Sequence, residues 1–231
     1  MTGPIRNRLL KALAPDDLER LRPHLEPVSF KRGQVLHSAN RPIDRVYFVE
    51  EGLVSVLTDP DREHPVEVWL IGCEGLTGIP LLLGAGNTYH RYVAEVAGRA
   101  LRIGSAELRD AMQRSRSLSD SLLRFVQVIL VQTARVGACN ARHSLQERLA
   151  RWLLMAHDRV DGDRLELTHE FLSLMLGVRR AGITEAIGPL QKAGIIQQGQ
   201  GRIQILSRAR LEAASCNCYG ITKSESNRIL H

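Results

Sequence analysis

Hydrophobic and polar positions divide the chain into a helical start, a strand-rich middle and a helical end. Leucines at helical spacing occupy residues 6–25, where Pro15 is placed to open a second short helix. From Val28 to Gly104, short runs of β-branched and aromatic residues are separated by glycines. The runs are 46–49, 53–57, 66–71 and 92–96. This pattern predicts an antiparallel β-roll or barrel.

After residue 117 the spacing is helical again, and one stripe repeats at alternating steps of four and three residues. It consists of Leu122, Val126, Ile129, Thr133, Val136 and Asn140. This rhythm is typical of a coiled-coil seam, so a helix over residues 119–140, about 33 Å long, is predicted to pair with a second copy. The alternative is a helix packed on its own domain, because Phe125 and Leu130 widen the stripe. We expect the dimer, with Asn140 fixing its register.

Residues 144–190 carry the signals of a helical DNA-binding unit. Ser144 and Glu147 have the spacing of a capping box, which places a boundary near residue 143. Further on, Thr168 suits an N-cap, Ser173 is small where two helices approach, and Gly177 suits a turn with positive φ. The inward apolar positions are Leu172, Leu176, Val178, Ile183 and Ala186. Together these features favour a helix-turn-helix over a generic helical hairpin.

The second helix, predicted over Val178–Lys192, begins with two arginines. Arg180 is predicted to bind a guanine edge in the major groove, and Arg179 to contact phosphate. Positive charge at a helix start opposes the helix dipole, and DNA phosphate would explain it. A strand, a glycine turn and a strand follow at 195–206, which predicts a wing.

Five further positions complete the predicted DNA-binding set. Thr184, Lys192 and Arg202 at the wing tip are phosphate candidates, and Thr168, the N-cap of the first helix, is included in the set. Glu185 is expected to accept from a cytosine amine or to orient an arginine. For Lys192 and Arg202, a simple solvent-exposed position is the alternative.

Composition narrows the partner without deciding it. The 231 residues have a net charge of +6, which favours an acidic partner and leaves DNA, RNA and anionic membrane open. Aromatic residues are only 4%, which argues against a stacking surface for single strands. Residues 1–11 lack the apolar region of a signal peptide, and no uninterrupted apolar run has membrane-spanning length, so we expect a cytoplasmic protein without a membrane partner. Its four cysteines predict no disulfide framework, and Cys216 and Cys218 are interpreted as inert thiols rather than a metal site.

The order of these parts resembles the Crp/Fnr family of bacterial transcription regulators. Residues 32–36 and 45–56 look like the opening of its cyclic-nucleotide-binding domain, and residues 167–180 look like its DNA-reading unit. The resemblance covers nearly the whole chain. It implies an α+β fold with an antiparallel β-roll of the double-stranded β-helix (jelly-roll) type, a long dimerisation helix and a C-terminal winged helix-turn-helix. It also implies a homodimer on near-palindromic double-stranded DNA with half-sites roughly 34 Å apart.

The resemblance also divides the chain and suggests partners. The expected segments are N-terminal helices at 1–27, the β-roll sensor at 28–104, the dimerisation helix at 105–143, the winged helix-turn-helix at 144–215 and a tail at 216–231. RNA polymerase is an expected partner if the protein is an activator. In a well-known member of the family, the recognition helix offers Arg, Glu and a later Arg to the bases. The first falls on Arg180, whereas Ala181 and Glu185 replace the others, so a different operator is expected.

The sensor departs from the family's cyclic-nucleotide cassette, which reads Gly-Glu-x-x-Leu and then Arg-Ser/Thr-Ala about ten residues on. Ile79 stands where a glutamate would bind the ribose, and Tyr92 replaces the phosphate-side hydroxyl. We therefore expect cyclic AMP not to bind, and the effector stays unknown. The candidate effector pocket comprises Gly78, Ile79, Leu82, His90, Arg91, Tyr92 and Thr133. No iron–sulfur cluster is expected, because the family's N-terminal cysteines are missing from residues 1–28.

Three functions remain in competition. A dimeric, sequence-specific transcription regulator explains the most features. The alternatives are a cyclic-nucleotide-responsive regulator with a non-standard pocket and a nucleotide-binding regulatory module without DNA function. The sequence has no phosphate loop, zinc-ligand spacing or nucleophile elbow, so we do not expect an enzyme.

Overall fold

The computed structural model of this protein describes residues 4–59 and 65–230, with the backbone alone at 229–230. The helices are α1 (Arg8–Lys11), α2 (Pro15–Leu21), α3 (Ile79–Leu82), α4 (Ser105–Arg114), α5 (Arg116–Arg142), α6 (Leu145–His157), α7 (His169–Leu176), α8 (Arg180–Lys192), α9 (Arg208–Ala214) and α10 (Cys218–Leu230). The strands are β1 (Glu26–Phe30), β2 (Val35–His37), β3 (Arg41–Pro42), β4 (Arg45–Thr58), β5 (Val66–Ile71), β6 (Asn87–Thr88), β7 (Arg91–Gly104), β8 (Arg164–Leu165), β9 (Ile196–Gly199) and β10 (Arg202–Ile205).

The main sheet is antiparallel and is built around two strands of 14 residues each, β4 and β7. Its order is β1-β7-β4-β5, and β2 also pairs with β7. The predicted separation of residues 46–49 from 53–57 is wrong, because Gly52 (φ 90°) forms a bulge inside β4 instead of a turn. The carbonyl oxygen of Val96 lies only 2.7 Å from where a Cβ at Gly52 would stand, so the strands require glycine there. The α+β class and the antiparallel sheet of the sensor are confirmed.

The two faces of β4 and β5 belong to different cores, because successive side chains of a strand point to opposite faces. Val54, Val56 and Ile71 lie in a core shared with α1, α2, α4 and the first half of α5. Leu53 and Leu70 lie in a second core with α6–α9. The helical C-terminal unit is therefore packed directly on the outer face of the sheet.

The helical segment between the two cores differs from its predicted form. Residues 105–143 hold two helices rather than one, because Ser115 is extended and its Oγ accepts from the Leu118 amide to start α5. α5 is longer than predicted, at 27 residues. It is also the one helix in the described ranges that is long and apolar enough to cross a membrane, but its apolar stripe supplies the first core.

The C-terminal unit ends in more structure than expected. Residues 216–231, predicted as a tail, contain α10, which packs along α5. The predicted capping box is present, since the Ser144 Oγ accepts from the Glu147 amide and the Glu147 carboxylate accepts from the Ser144 amide. It starts α6 directly after His143, the C-cap of α5. A three-stranded sheet of order β8-β10-β9 completes the unit.

Candidate nucleic-acid interface

The turn between α7 and α8 has the geometry of a helix-turn-helix. Thr168 caps α7 by accepting from the Phe171 amide at 3.1 Å. Gly177 ends α7 in the left-handed conformation (φ 63°, ψ 43°). The Val178 amide then donates to the Ser173 carbonyl at 3.0 Å, which satisfies a helix-end acceptor and turns the chain. These local interactions fix the direction in which α8 leaves.

The start of α8 exposes the predicted DNA-reading residues. The helix begins at Arg180, two residues later than predicted, because Arg179 is extended (φ −71°, ψ 149°) and occupies the N-cap. Arg179, Arg180, Thr184 and Glu185 are all exposed, whereas Ile183 on the same helix is fully buried. The other buried positions of α8 are Ala186, Ile187 and Leu190. One face of α8 therefore packs in the core and leaves the arginine-bearing end in solvent.

A histidine that the sequence analysis did not select joins α7, α8 and the wing. The His169 Nδ1 lies 3.1 Å from the Thr184 hydroxyl, and its Nε2 contacts the side-chain amide of Gln198 on β9. The Thr184 hydroxyl is therefore already engaged within the protein and is less available to phosphate than predicted. No local signal marks His169, since its partners are 15 and 29 residues away.

The wing is formed by β9, β10 and a turn at Gln200 and Gly201, both with positive φ. A Cβ at Gly201 would lie 3.5 Å from the Thr168 methyl group, so the turn stands beside the start of α7. Arg202 is half exposed, and its Nε is 2.9 Å from a Glu166 carboxylate oxygen. To contact phosphate, Arg202 has to exchange this ion pair.

Lys192 is separated from the other predicted DNA-binding residues. It is exposed in the last turn of α8, about 18 Å along the helix from Arg180. The structure thus brings Thr168, Arg180, Thr184 and the wing to one end of the unit. Lys192 lies at the other end of α8, away from these residues.

Half of the predicted dimer seam on α5 lies inside the protomer. Leu122, Val126 and Ile129 are at most 5% exposed and belong to the core of their own protomer. They leave little surface for a second copy, so dimerisation through this stripe stays a prediction that rests on its other three members. Thr133 and Val136 are half-buried and Asn140 is exposed. The Thr133 hydroxyl donates to the Ile129 carbonyl at 2.9 Å.

An adjacent stripe of α5, offset by one residue, is exposed instead. It contains Leu123, Gln127, Leu130, Ala134, Gly137 and Ala141, which repeat at the same alternating steps of four and three. Leu130 is 65% exposed, and no atom lies within 4 Å of where a Cβ at Gly137 would stand. We call this set the outer stripe of α5.

The candidate effector pocket is largely filled by core side chains. Ile79 and Leu82 on α3 are buried, and Gly78 caps α3 with φ 78°. Tyr92 is fully buried, and burial raises the pKa of its hydroxyl. Its ring stands edge-on to His37 at 4.8 Å. The positions that would face a ribose and a phosphate thus carry packed apolar and aromatic groups.

Two polar positions in this region stand out. Arg91 is half-buried, and its Nε has no hydrogen-bond partner among the residues that the structure describes. His90 is half-buried, and burial lowers the pKa of its imidazole. His37, which the sequence analysis did not select, bonds to the Thr77 hydroxyl at 2.8 Å, and burial lowers its pKa to about 4. His37 is therefore neutral in the folded protein at physiological pH.

A buried carboxyl group joins the sensor sheet to the C-terminal unit. Glu67 on β5 accepts from the Trp152 indole at 2.7 Å and from the Ser55 hydroxyl at 2.6 Å. Burial raises its pKa to about 7, against the opposing effect of these two hydrogen bonds. Neighbouring Glu95 has its pKa raised to about 7 as well, by burial and then by the charge of Glu67.

The structure also gathers residues that are distant in sequence. Cys216 and Cys218, interpreted as inert thiols, lie beside Cys139 and His143, with their ligand atoms within 4.8 Å of one another. Inert thiols were predicted on the basis of two potential metal ligands, Cys216 and Cys218. The fold brings four potential ligands together. The Cys-x₃-His spacing of Cys139 and His143 is the feature of the sequence that could have indicated this cluster. Nothing in the local sequence links it to Cys216, which lies 77 positions after Cys139.

Comparison with known proteins gives two domain matches. Residues 147–214 match the Crp-like helix-turn-helix domain, and residues 27–115 match the cyclic nucleotide-binding domain. "Transcriptional regulator SdrP" of Thermus thermophilus is 30% identical over 189 residues, which cover 78% of this chain and 90% of that protein.

Two more distant proteins agree with these matches. The "Global nitrogen regulator" of Nostoc is 24% identical over 188 residues, 77% of this chain and 83% of its own. A solved protein from Eubacterium rectale, assigned to the Crp/Fnr family of transcriptional regulators, superimposes with a TM-score of 0.71 at 19% identity. That match covers 89% of this chain and 96% of the other, and it supports the fold.

Proposed function

Because this chain belongs to the Crp/Fnr family of DNA-binding transcription regulators, we propose that it binds a near-palindromic operator as a homodimer and reads bases with Arg180. The observation that carries this proposal is the exposed arginine at the start of α8, directed by the Thr168 cap and the Gly177 turn. An arginine at the amino-terminal end of a recognition helix can donate two hydrogen bonds to one guanine.

The other predicted residues take supporting roles in this proposal. Arg179, Thr168 and the wing residue Arg202 bind phosphate on either side of the base contacts, and Glu185 contributes to base choice from the next turn of α8. Thr184 is assigned a weaker role, because its hydroxyl is engaged by His169. Lys192 reaches only a more distant phosphate.

Dimerisation through the outer stripe of α5 follows from its exposure. Regulators of this family function as dimers, and a coiled-coil seam requires apolar positions that are free of the protomer's own core. Leu123 and Leu130 meet that condition, and Gly137 leaves room for close approach of a second helix. Thr133, Val136 and Asn140, from the seam predicted by the sequence, lie beside the outer stripe and are proposed to extend the dimer contact.

The sensor half is proposed to respond to a ligand other than cyclic AMP. Ile79 offers no acceptor for a ribose hydroxyl, and the Tyr92 ring is packed in the core. A second possibility is an anionic ligand in a non-standard pocket. It is favoured by Arg91, whose Nε has no hydrogen-bond partner in the described part of the chain. Calorimetry with cyclic AMP and cyclic GMP tests both, and micromolar binding of either would contradict our interpretation of Ile79.

Further expectations follow from the family. The protein acts in the cytoplasm, and an activator would contact RNA polymerase beside the operator. We expect no catalytic activity, because the family regulates transcription.

The DNA proposal is tested by selecting operators from genomic fragments at about 0.1 M salt, where non-specific binding is still measurable. Arg180→Ala is expected to lose about 1–3 kcal/mol of discrimination at one base pair of each half-site. Arg202→Ala is expected to weaken binding to all sequences alike, because a phosphate contact carries no base information.

Arg116→Ala is the matched control for both arginine variants. Arg116 is 94% exposed in its side chain and lies at the sensor end of α5, about 40 Å of helix from the DNA-binding unit. This variant should bind like the wild type. Wild-type protein that prefers no fragment over random DNA, or Arg180→Ala with unchanged base preference, contradicts the proposal.

A further inference from the structure

Four side chains with metal-binding atoms meet where α5 ends and α10 begins. They are Cys139, His143, Cys216 and Cys218. The Sγ atoms of Cys139 and Cys216 are 3.4 Å apart, and the Cys218 Sγ is 3.7 Å from the His143 Nδ1. All three cysteines are buried and His143 is half-buried.

The fold holds these residues in position from both sides. Cys139 lies in the last turn of α5, and His143 is the C-cap of that helix, where its amide donates to the Cys139 carbonyl at 3.0 Å. Cys216 and Cys218 flank the start of α10. The Tyr219 hydroxyl donates to the Asp158 carboxylate at 2.9 Å, which anchors the start of α10 to the end of α6. Within α10, the Thr222 hydroxyl donates to the Cys218 carbonyl at 2.8 Å.

The separations fit a single tetrahedral ion. With metal–sulfur bonds of about 2.3 Å, the ligand atoms of a tetrahedral zinc site are about 3.8 Å apart. The Cys139 Sγ–Cys216 Sγ distance of 3.4 Å and the Cys218 Sγ–His143 Nδ1 distance of 3.7 Å are within about 0.4 Å of that value, and every pair of ligand atoms lies within 4.8 Å. A sulfide-bridged iron cluster needs its ligands spread around several metal atoms, so the compact arrangement favours one ion.

A buried positive charge lies near the cluster. Arg151 on α6 is buried, and its guanidinium interacts electrostatically with Cys139 and Cys218. Its Nε has no hydrogen-bond partner within the described residues, so it is available to balance the net negative charge of an ion with three thiolates.

We propose that Cys139, His143, Cys216 and Cys218 bind one Zn²⁺ ion in a closed Cys₃His site that fastens α10 to the end of α5. Three thiol protons leave to solvent as three thiolates and one neutral imidazole nitrogen take the ion, and no oxidation occurs. His143 is also the C-cap of α5 and precedes the Ser144 cap of α6. The ion therefore fixes the junction between the α5 dimer helix and the DNA-binding unit.

The first experiment measures metal in the full-length protein, purified under reducing conditions with any affinity tag removed. Elemental analysis is expected to find about one zinc per chain, as for a structural site. Replacement by Co²⁺ is expected to produce visible d–d bands and a near-ultraviolet thiolate charge-transfer band, because these report a tetrahedral sulfur-rich site.

Matched variants separate this site from adventitious binding. Cys216→Ser and His143→Gln are expected to lose most of the zinc and the cobalt bands. Cys73→Ser, which removes the cysteine outside the cluster, and His24→Gln, which removes an exposed histidine, should retain both. If Cys216→Ser does not fold by circular dichroism, His143→Cys provides the test, since it should keep one metal with a spectrum shifted towards four sulfur ligands.

Several results would overturn the proposal. Folded, reduced wild-type protein that contains no zinc and gains no cobalt bands is one, and equal metal loss in Cys73→Ser and Cys216→Ser is another. Iron with acid-labile sulfide, or a Cys139–Cys216 disulfide in place of metal, would replace the site by different chemistry. Metal content is measured without DNA, so these outcomes are independent of operator binding.

Discussion

At the scale of single residues, the position of Arg180 depends on neighbours that are not expected to contact a base. The Thr168 hydroxyl starts α7, and Gly177 turns the chain towards α8. Leu172 and Ile183 are both fully buried and hold the two helices together. The side chain that we propose as the base reader is therefore placed by a cap, a left-handed glycine and an apolar contact.

Replacing Gly177 tests the turn without touching a proposed DNA contact. Its φ of 63° is unfavourable for any residue with a Cβ, so Gly177→Ala should lower the free energy of unfolding by about 1–2 kcal/mol. The nearest atoms of Val66 are 3.6 Å from the added Cβ, so backbone conformation and not a clash causes the loss. Urea denaturation followed by circular dichroism measures it.

Gly188→Ala is the control for this change, in the same helix-turn-helix. Gly188 lies inside α8, and no atom is within 4 Å of where its Cβ would stand. Alanine in that place should raise the free energy of unfolding by about 0.5–1 kcal/mol. Stabilisation by both substitutions would show that Gly177 does not hold the left-handed conformation in solution.

At the scale of elements, α5 carries two apolar stripes that differ by one residue in phase. Leu122, Val126 and Ile129 fill the sensor core, while Leu123 and Leu130 on the outer stripe are exposed. A helix that is apolar on two sides can serve a core and a partner at once. The helix packs in its own core, and we propose that its outer stripe also forms the dimer contact, so the two predicted alternatives are compatible.

A charge on the outer stripe should separate the protomers. Leu130→Asp introduces two facing carboxylates near the twofold axis, and burying them costs several kcal/mol. We expect sedimentation velocity to show a monomer at concentrations where the wild type is a dimer. Operator binding should weaken in parallel, because a single protomer contacts one half-site.

Leu83→Asp is the control for Leu130→Asp, because it places the same charge at a leucine of nearly equal exposure outside α5. Leu83 is 63% exposed at the end of α3, compared with 65% for Leu130, so solubility and charge change equally in the two variants. This control should remain dimeric. A dimeric Leu130→Asp protein would place the seam on another face of α5.

At the scale of the whole molecule, the sensor and the DNA-binding unit are joined by an apolar contact with polar groups inside it. Leu53 and Leu70 of the sheet lie in the same core as Trp152 of α6. Within this contact Glu67 accepts from the Trp152 indole, and Glu74 pairs with Arg159 at 2.7 Å. A change in the sensor sheet thus has a direct physical route to α6.

Replacing Glu67 should change how stability depends on pH. The folded pKa of Glu67, about 7, lies above its ordinary value of 4.5, so the folded state binds the proton more tightly than the unfolded state. The resulting stabilisation is complete below pH 4.5 and is lost as pH rises through 7. Glu67→Gln keeps an acceptor for the Trp152 indole and has no proton to lose.

We therefore expect the wild type to lose about 1–3 kcal/mol relative to Glu67→Gln between pH 5 and pH 8. Urea unfolding of both proteins across this range measures the difference. Glu95 retains a smaller pH response in the variant, because burial still raises its pKa. Glu170→Gln, at an exposed position of α7, should show the same dependence of unfolding free energy on pH as the wild type. If Glu67→Gln also showed that dependence, the raised pKa assigned to Glu67 would be contradicted.

Features that depend on nearby residues could be predicted from the sequence. The start of α2 at Pro15, the Ser144–Glu147 capping box, the Thr168 cap and the Gly177 turn all form where expected. Each is a contact between residues a few positions apart, so the local sequence is enough to predict it. For the same reason, the position of Arg180 at the start of α8 could be predicted.

Tertiary packing decided the rest, because contacts between distant segments leave no local pattern. It merged two predicted strands into β4, and it assigned the Leu122 stripe to the core and the Leu130 stripe to solvent. It also brought Cys139 within 3.4 Å of Cys216 across 77 residues, and Glu67 onto Trp152 across 85. By itself, the sequence thus determined the local turns and caps that direct Arg180. The dimer surface, the candidate zinc site and the contact between the two halves depend on how the sheet and helices pack.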